Sequence, residues 1–237
     1  MTVRPYAGEG SKREQVERMF DAISPRYDLL NRLCSFGVDQ RWRKRLVRAL
    51  RAHAPQNVLD VATGTADLAL LAARSGMRVT GVDISAGMLA GGRRKIERAN
   101  LSDRVRLIQA DSGALPFDDA AFDAAMVAFG VRNFEDLEQG LKEIRRTVRP
   151  GGRLLVLEFS KPKGVLGALF RSYFHRVMPA IGRLVSKDAR AYSYLPESVA
   201  AFPDGETFLT VLRTCGFTDP SAQRLTGGIA TLYSAGR

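Results

Sequence analysis

The stretch that decides the fold is NVLDVATGTADLA, residues 57–69. Its apolar start predicts a buried strand, the Ala-Thr-Gly-Thr segment predicts a tight turn, and the spacing of the leucines that follow predicts a helix. Gly64 lets the backbone come close to a ligand because it has no Cβ. The helix that follows begins with free N–H groups, which favour negative charge. The stretch therefore predicts a ligand site at the end of the first strand.

A second predicted strand ends in Asp83, nineteen residues after Gly64. A carboxylate at this place can accept hydrogen bonds from the two hydroxyls of a ribose, which indicates an adenosine-containing ligand. The turn has one glycine where a dinucleotide fingerprint has G-x-G-x-x-G, so it lacks the usual device for a pyrophosphate. S-adenosylmethionine, which carries no phosphate, fits better. A tight turn that binds nothing is the alternative.

Length and composition limit the class of protein. A chain of 237 residues can form one large α/β domain with additions. The net charge of +11 indicates an anionic partner, either nucleic acid or a membrane surface. The sequence predicts no membrane-spanning helix and no signal segment, and residues 1–10 are expected to be a flexible tail. Two isolated cysteines and two histidines predict no metal site and a cytosolic protein.

The N-terminal third, residues 1–53, is predicted to be a helical lid over the open edge of the core. Ser11 and Glu14 resemble a capping box at the start of an amphipathic helix over residues 11–22. Asp39 is expected to cap a later helix. The outward side of that helix is predicted to carry only basic residues, namely Arg41, Arg43, Lys44, Arg45, Arg48 and Arg51.

The core, residues 54–160, is predicted to run in alternating strands and helices. Ligands of such sheets bind beyond the carboxyl ends of the strands, which places Asp60, Asp83 and Asp111 on one rim. Asp111 can accept a hydrogen bond from an adenine amine, and Ser112 can help to hold the ring. The alternative for these two residues is the start of a turn without a ligand.

The remaining chain divides into a helical insertion on the substrate side, residues 161–202, and a final helix with two strands, residues 203–237. Between 161 and 187, apolar residues recur at helical spacing together with six Lys and Arg residues and no acid. This pattern favours a membrane-surface or pocket-forming helix, with a plain cover over the core as the alternative. The whole pattern predicts a Rossmann-like, doubly wound, seven-stranded and mostly parallel sheet that ends in an antiparallel hairpin.

Several stretches of the chain resemble the UbiE/MenG family, the class I methyltransferases of menaquinone and ubiquinone biosynthesis. Residues 27–31 (YDLLN), with Ser35 and Trp42, resemble its N-terminal signature, although Leu30 replaces a usual Met and Asp39 a usual His. A second signature is matched by residues 146–152 (RTVRPGG), 158 (Glu) and 160 (Ser). The motifs FGVRN and GGIA, at 129–133 and 227–230, are also similar, so the resemblance covers nearly the whole chain.

The resemblance implies S-adenosylmethionine as cofactor and a class I methyltransferase fold. The family's cofactor positions fall on Thr65, Asp83, Asp111 and Ser112, and the turn adds Gly64 and Asp60. The implied reaction is methyl transfer to a ring carbon of a prenylated quinol, either demethylmenaquinol or a ubiquinol precursor. The sulfonium is already an electrophile, so no metal is expected.

The chemistry of a quinol ring suggests which residues would act on it. A ring hydroxyl supplies electron density to the attacked carbon, and a positive group or a base near its oxygen would help. We expect Arg132 to polarise the hydroxyl or to deprotonate it through water, Asn133 to position it, and Tyr27 to contribute from the lid. The alternatives are that Arg132 pairs with a carboxylate of the lid and that Tyr27 only packs.

Two other function classes remain open at this stage. One is a methyltransferase acting on another small molecule or on RNA, and the other is a module that binds the cofactor or a membrane without catalysis. No N-P-P-[YF] motif and no separate RNA-binding module is visible, so no nucleic acid partner is expected. A prenylated substrate predicts a cytoplasmic protein bound weakly to the anionic inner face of the cell membrane. The sequence leaves a homodimer open.

Overall fold

A computed structural model of the protein describes residues 3–6, 8–35, 37–162, 164, 167, 172 and 190–237, without the side chains of 30, 33, 34 and 190–193. Its seven-stranded sheet has the order β3-β2-β1-β4-β5-β7-β6. Strands β1 to β5 are parallel, whereas β7 is antiparallel to both β5 and β6. The strands are β1 Asn57–Val61, β2 Arg78–Asp83, β3 Val105–Gln109, β4 Phe122–Ala128, β5 Val148–Phe159, β6 Thr218–Leu225 and β7 Ala230–Gly236. The predicted sheet with its antiparallel C-terminal hairpin is confirmed.

Among the described residues, three helices precede the first strand and five others connect later strands. They are α1 Lys12–Ile23, α2 Tyr27–Ser35, α3 Val38–Arg51, α4 Asp67–Ala73, α5 Ala86–Arg98, α6 Leu137–Thr147, α7 Arg190–Ala201 and α8 Glu206–Thr214. Short 3-10 helices span Ser24–Arg26, Val131–Asn133 and Thr226–Gly228. Residues 161–187, predicted as a basic helical segment, lie almost entirely outside the described residues.

Strand β5 begins earlier than its apolar run suggests. Residues 149–152, predicted as a turn before the strand, lie within it, and the register against β4 shifts between Phe122 and Ala124. Gly151 takes a φ of +77°, which a residue with a Cβ rarely adopts. The proline and glycines therefore form an irregular start of the strand rather than a separate turn.

Two hydrophobic cores lie on the two faces of the sheet. One face packs against α3, α4 and the end of α5 through residues such as Leu46, Leu68 and Ile96. The other packs against α6 and α8 through residues such as Leu141 and Phe208. Apolar side chains alternate between the faces along β4 and β5, as expected of strands that are covered on both sides.

Helix α3 belongs to one of these cores, although it lies within the stretch predicted as a lid. Trp42, Leu46 and Leu50 are buried against the sheet. The Trp42 Nε1–H donates to Thr226 Oγ1 at 2.9 Å, and Arg45 Nε donates to Gln223 Oε1 at 3.2 Å. These bonds join the N-terminal third of the chain to its last hairpin.

Two expectations for α3 are wrong. The helix begins at Val38 after Gly37, so Asp39 lies in its first turn instead of capping it, and the buried Asp39 carboxylate accepts from Ser35 Oγ at 2.6 Å. Arg43 does not face solvent with the other basic residues. It is only 8% exposed, because its guanidinium carbon lies 5.4 Å from the centre of the Phe129 ring and its Nε lies 3.5 Å from Asp39.

The N-terminal tail is also more ordered than its composition suggests. Pro5 is buried, and the Tyr6 N–H donates to Gln15 Oε1 at 3.0 Å. The Gln15 side chain is 1% exposed, and its Nε2 donates to the carbonyl of Gly8 at 3.3 Å. A buried amide requires such partners, so the tail folds back along α1 to supply them.

Candidate active site

A cavity opens at the carboxyl ends of β1, β2 and β4, beneath α1 and α2. It measures about 690 Å³, open solvent at its mouth included. The sheet order reverses between β1 and β4, which is the switch point where ligands of such folds bind. Six of the residues predicted from sequence line this cavity, namely Tyr27, Gly64, Asp83, Asp111, Ser112 and Asn133.

Two glycines shape the floor of the cavity. Gly64 takes a φ of +57°, and a Cβ added to it would meet nothing closer than the Tyr27 ring at 4.0 Å. Gly130 is required for close approach, since a Cβ there would lie 2.5 Å from the Cβ of Ala62. Ala62 and Phe129 beside it both have positive φ angles, +54° and +60°. The ends of β1 and β4 thus each carry a residue in the left-handed region that favours glycine.

Asp83 lies at the end of β2 with both carboxylate oxygens held by backbone. Its Oδ2 accepts from the Gly64 N–H at 2.8 Å and its Oδ1 from the Ser85 N–H at 2.9 Å. Burial raises the pKa of Asp83 to about 6, and the two N–H groups oppose this rise. The remaining lone pairs of a fixed, partly buried carboxylate can accept hydrogen bonds from a ligand in the cavity.

Asp111 and Ser112 follow β3 on the neighbouring part of the rim. The Asp111 carboxylate accepts from the Gly113 N–H at 2.9 Å, which is the turn geometry weighed as the alternative. Its Oδ2 also pairs with Arg13 Nε of α1 at 3.2 Å. Because Arg13 also lines the cavity, α1 closes this end of it by an ion pair that is half-exposed.

Two of the predicted cofactor residues do not line the cavity. Asp60 is 1% exposed and accepts from Thr63 Oγ1 at 2.6 Å, and burial raises its pKa to about 7. Thr65 is also buried, and its Oγ1 donates to Asp28 Oδ1 at 2.6 Å. The structure places Asp60 behind the turn and Thr65 at the contact between the turn and α2.

Helices α1 and α2 are fastened to the core around the cavity by charged groups. Lys95 of α5 donates to Asp28 at 3.0 Å, to Thr65 at 3.2 Å and to Asp67. On α1, Lys12 Nζ donates to the carbonyls of Phe134 at 2.6 Å and Arg132 at 3.0 Å. Burial lowers the pKa of Lys12 to about 8, yet it remains largely charged at neutral pH.

The substrate side of the cavity is formed by the 3-10 helix after β4. Asn133 lines the cavity, and its Oδ1 accepts from the Tyr194 hydroxyl of α7 at 3.1 Å. Burial raises the pKa of Tyr194 to about 12, so this phenol is a neutral donor at physiological pH. Tyr27 lies on the opposite wall with its ring edge-on to Phe20.

Arg132 is held behind this wall instead of facing the cavity. Its Nη1 donates to Glu158 Oε1 at 2.8 Å and to the Phe129 carbonyl at 2.6 Å, and its Nε donates to Ser198 Oγ at 3.3 Å. Glu158 is 0% exposed. Arg132 therefore does pair with a carboxylate, but the carboxylate belongs to β5 and not to the lid.

Sequence reasoning passed over several of these residues. Glu158 appeared only as a letter of a signature, and Lys12, Lys95 and Tyr194 had no assigned role. Tyr194 lies 61 residues from its partner Asn133 and Lys95 lies 67 from Asp28, so no local spacing relates them. An acid at the end of the apolar strand β5 was the one visible signal, since such a position is rarely charged without a partner.

Neither a metal site nor a membrane-spanning helix is found among the described residues. No group of three or more His, Cys, Asp or Glu side chains among them could hold a metal ion. None of the helices in the described ranges has both the length and the apolar character needed to cross a bilayer.

Comparison with known sequences places the chain in one family. The sequence profile of the ubiE/COQ5 methyltransferase family matches residues 9–237. The demethylmenaquinone methyltransferase of Thermus thermophilus is 50% identical over 222 residues, covering 92% of this chain and 100% of that protein. The ubiquinone/menaquinone biosynthesis C-methyltransferase UbiE of Geobacter sulfurreducens is 46% identical, covering 94% and 88% of the two chains.

Solved structures share the fold at much lower identity. The cyclase SpnF is 19% identical with a TM-score of 0.71, covering 98% of this chain and 99% of that one. A SAM-dependent methyltransferase of Thermotoga maritima is 17% identical with a TM-score of 0.66, covering 92% and 98%. Because one of these proteins is a cyclase, the fold alone does not fix the reaction. The sequence relationship does fix the family: the chain belongs to the ubiE/COQ5 methyltransferase family and is an S-adenosylmethionine-dependent methyltransferase.

Proposed function

We propose that the protein transfers a methyl group from S-adenosylmethionine to a ring carbon of a prenylated quinol, with demethylmenaquinol as its substrate. The observation that carries the proposal is a single cavity with two different polar ends. Asp83 offers a carboxylate at one end, and Asn133, backed by Arg132, offers polar groups at the other. The relatives named demethylmenaquinone methyltransferase match over nearly the full chain, which supports this choice of substrate.

The cofactor end is assigned to the residues at the ends of β1, β2 and β3. Asp83 would accept hydrogen bonds from the ribose hydroxyls, and Asp111 with Ser112 would hold the adenine edge. The open backbone at Gly64 would face the methionine part of the molecule. Asp60 and Thr65 would support cofactor binding indirectly. Asp60 would hold Thr63 of the turn, and Thr65 would hold α2 through Asp28. The bound cofactor supplies an electrophilic methyl group on a sulfonium.

The substrate end is assigned to residues from both walls. Asn133 would position a ring hydroxyl, and Tyr27 with Phe20 would pack against the ring. The Arg132 guanidinium, fixed by its three acceptors, would stabilise the phenolate that forms when the ring hydroxyl gives its proton to water. The ring carbon of this phenolate would attack the methyl group, S-adenosylhomocysteine would leave, and loss of the ring proton to water would restore the aromatic ring. A hydroxyl is required for this activation, so the reduced quinol is the reactive form.

The test is product identification with a labelled cofactor. The protein is incubated without oxygen with labelled S-adenosylmethionine and either reduced or oxidised demethylmenaquinone, and the products are separated by mass. We expect a methylated product from the reduced form only. Labelling of tRNA or of another small molecule in place of the quinol, or equal rates on both redox forms, would contradict the proposal.

We further propose that the protein acts at an anionic membrane surface in the cytoplasm, where a prenylated substrate is held. In the described part of the chain, α3 presents an unbroken basic side, and the exposed residues on it are Arg41, Lys44, Arg45, Arg48 and Arg51. Each such cation near an anionic surface contributes about 1 kcal/mol, and salt screens the attraction. The basic segment 161–187 is the second candidate surface.

Vesicle co-sedimentation tests this surface. Binding to anionic vesicles should exceed binding to neutral ones and should fall as salt is raised. Changing Arg41, Lys44 and Arg48 together to Gln should weaken it. The matched control changes three exposed arginines of α5, Arg93, Arg94 and Arg98, to Gln. If both variants lose vesicle binding equally, the net charge of the protein and not α3 is responsible for the binding. If neither variant loses vesicle binding, α3 is not the membrane-binding surface, and the segment 161–187 would be tested next.

A further inference from the structure

Glu158, at the end of β5, is a buried carboxylate whose two oxygens differ in their partners. The side chain is 0% exposed, and the two hydrogen bonds of normal geometry that it accepts both fall on one oxygen, while the backbone N–H of Arg132 adds a weaker favourable interaction with the carboxylate. Oε1 accepts from Arg132 Nη1 at 2.8 Å and from the Phe159 N–H at 2.8 Å. Oε2 is buried without a hydrogen-bond partner among the residues that the structure describes. Such an acceptor is expensive to leave empty, so it points to a ligand.

A donor without a partner lies on the adjoining guanidinium. Arg132 uses Nε for Ser198 and Nη1 for Phe129 and Glu158, whereas its Nη2 makes no hydrogen bond within the described ranges. The guanidinium carbon of Arg132 lies 5.6 Å from the centre of the Phe159 ring, close enough for a cation–π contact. Two groups joined by the Nη1–Oε1 bond thus each keep one polar atom without a partner among the described residues, Oε2 on Glu158 and Nη2 on Arg132.

This pair lies directly behind the substrate end of the cavity. Arg132 adjoins Asn133 in sequence, and it holds the carbonyl of Phe129, and both of these neighbours line the cavity. On the far side, α7 covers the pair through Ser198 and Tyr194. Neither Arg132 nor Glu158 lines the cavity, so a ring oxygen reaches the pair only when the side chains of the wall at Phe129 and Asn133 move aside.

We propose that Glu158 Oε2 and Arg132 Nη2 together bind one ring hydroxyl of the substrate, and that Glu158 thereby selects the reduced quinol over the quinone. A hydroxyl both donates and accepts, so it can satisfy the carboxylate oxygen and the guanidinium at once. A quinone carbonyl can only accept, so it would leave the buried carboxylate oxygen without a donor and facing a second acceptor. The inference rests on the proposed function, since it assigns a specificity determinant to that same site.

Binding measurements can test the selection apart from catalysis. The probe is 2-prenyl-1,4-naphthohydroquinone, titrated calorimetrically without oxygen into protein saturated with S-adenosylhomocysteine, and the oxidised naphthoquinone is titrated in parallel. We expect the wild type to bind the reduced form at least about tenfold more tightly, as for a hydrogen bond to a charged group. In Glu158→Gln the preference should fall below about threefold, because the amide nitrogen can donate to a carbonyl.

Glu138→Gln is the matched control, since that glutamate is half-exposed and its only ion pair, in the described residues, is with Lys142 on the same helix. It should keep the wild-type preference. A full preference in Glu158→Gln, or equal wild-type affinities for both redox forms, would overturn the assignment of Glu158. A preference that depends on Glu158 in a protein that never methylates the probe would contradict the proposed function and leave the Glu158 assignment in place.

A third ligand keeps the proposal falsifiable if Glu158→Gln does not fold. The dimethyl ether of the same hydroquinone retains both ring oxygens as acceptors but cannot donate. We expect the wild type to bind it no more tightly than the quinone. If the dimethyl ether binds as tightly as the hydroquinone, a hydrogen bond donated to Glu158 is not the cause of the selectivity.

Discussion

The two carboxylates at the ends of β2 and β5 differ in how their oxygens are used. Each carboxylate oxygen of Asp83 accepts one backbone N–H: Oδ2 from Gly64 of the turn after β1, and Oδ1 from Ser85, two residues after Asp83. Glu158 accepts its two hydrogen bonds of normal geometry on one oxygen, and its other oxygen has no hydrogen bond of that kind from the described residues. The cofactor end is thus built from backbone, and the substrate end from side chains that come from distant parts of the chain.

This difference predicts different consequences of mutation. A carboxylate held by backbone N–H groups can be removed without stranding another charge. A carboxylate paired with a buried guanidinium cannot be removed in this way, because its loss leaves the guanidinium buried without a counter-charge. Changes at the substrate end should therefore affect stability first, and changes at the cofactor end should affect binding first.

The largest effect is expected for Arg132→Ala. It leaves Glu158 buried without its positive partner, and breaking a buried pair in this way costs about 3–5 kcal/mol. Urea unfolding followed by circular dichroism measures the loss. The double variant Arg132→Ala/Glu158→Gln should recover part of it, because no uncompensated charge then remains. Strictly additive losses would show that the two residues do not act as a pair.

The next effect is expected for Asp83→Ala. Removing a charged acceptor from the ribose hydroxyls should weaken S-adenosylmethionine binding by roughly 1.5–3 kcal/mol, which is at least tenfold. Calorimetry measures it, with Asp103→Ala as a control because that side chain is 74% exposed and far less constrained. Wild-type affinity in a folded Asp83→Ala protein would remove the ribose assignment.

The raised pKa of Asp83 gives a smaller, pH-dependent effect. With a pKa of about 6 in the free protein, the carboxylate is mostly ionised at pH 7 and mostly protonated at pH 5. The ionised form is the better acceptor, so affinity for S-adenosylmethionine should fall by about tenfold between pH 7 and pH 5. Asp83→Asn should flatten this dependence. An equally steep profile in Asp83→Asn would assign the titration to another group.

The smallest effect is expected at the contact between α2 and the core. Lys95→Met removes the shared partner of Asp28, Thr65 and Asp67, a partly exposed set worth about 0.2–1 kcal/mol. Hydrogen exchange should become faster in α2, while the strands keep their protection. Lys142→Met, which removes an exposed pair on α6, is the control. Unchanged exchange in α2 would mean that packing alone holds it.

The sheet and the cofactor end could be predicted because their signals are local. Strand periodicity, the glycine at 64 and the acid at 83 lie within one βα unit and its successor, and parallel strands bring their carboxyl ends together. The same locality explains the errors. Asp39 was judged from its place before an apolar helix, whereas the helix start is set by Gly37 and the side chain is drawn to Ser35 and Arg43.

The substrate end could not be predicted in the same way. Arg132 and Glu158 are 26 residues apart, and Tyr194 reaches Asn133 from an element 61 residues away. Nothing in the spacing of FGVRN says that its arginine turns from the cavity towards β5. The family resemblance assigned Thr65 to the cofactor, but its hydroxyl donates to Asp28, 37 residues earlier.

The place of β7 has a consequence for how the chain folds. Strand β7, which follows β6 along the chain, lies between β5 and β6 in the sheet and not at its edge. During synthesis, one edge of β5 therefore remains unpaired until residues 230–236 have left the ribosome. Over the same period α3 cannot form its contact with the hairpin, because Trp42 donates to Thr226. The edge of β5 and the side of α3 that faces the hairpin are therefore the surfaces that stay uncovered longest during synthesis, and they are the most exposed to chaperones and to aggregation.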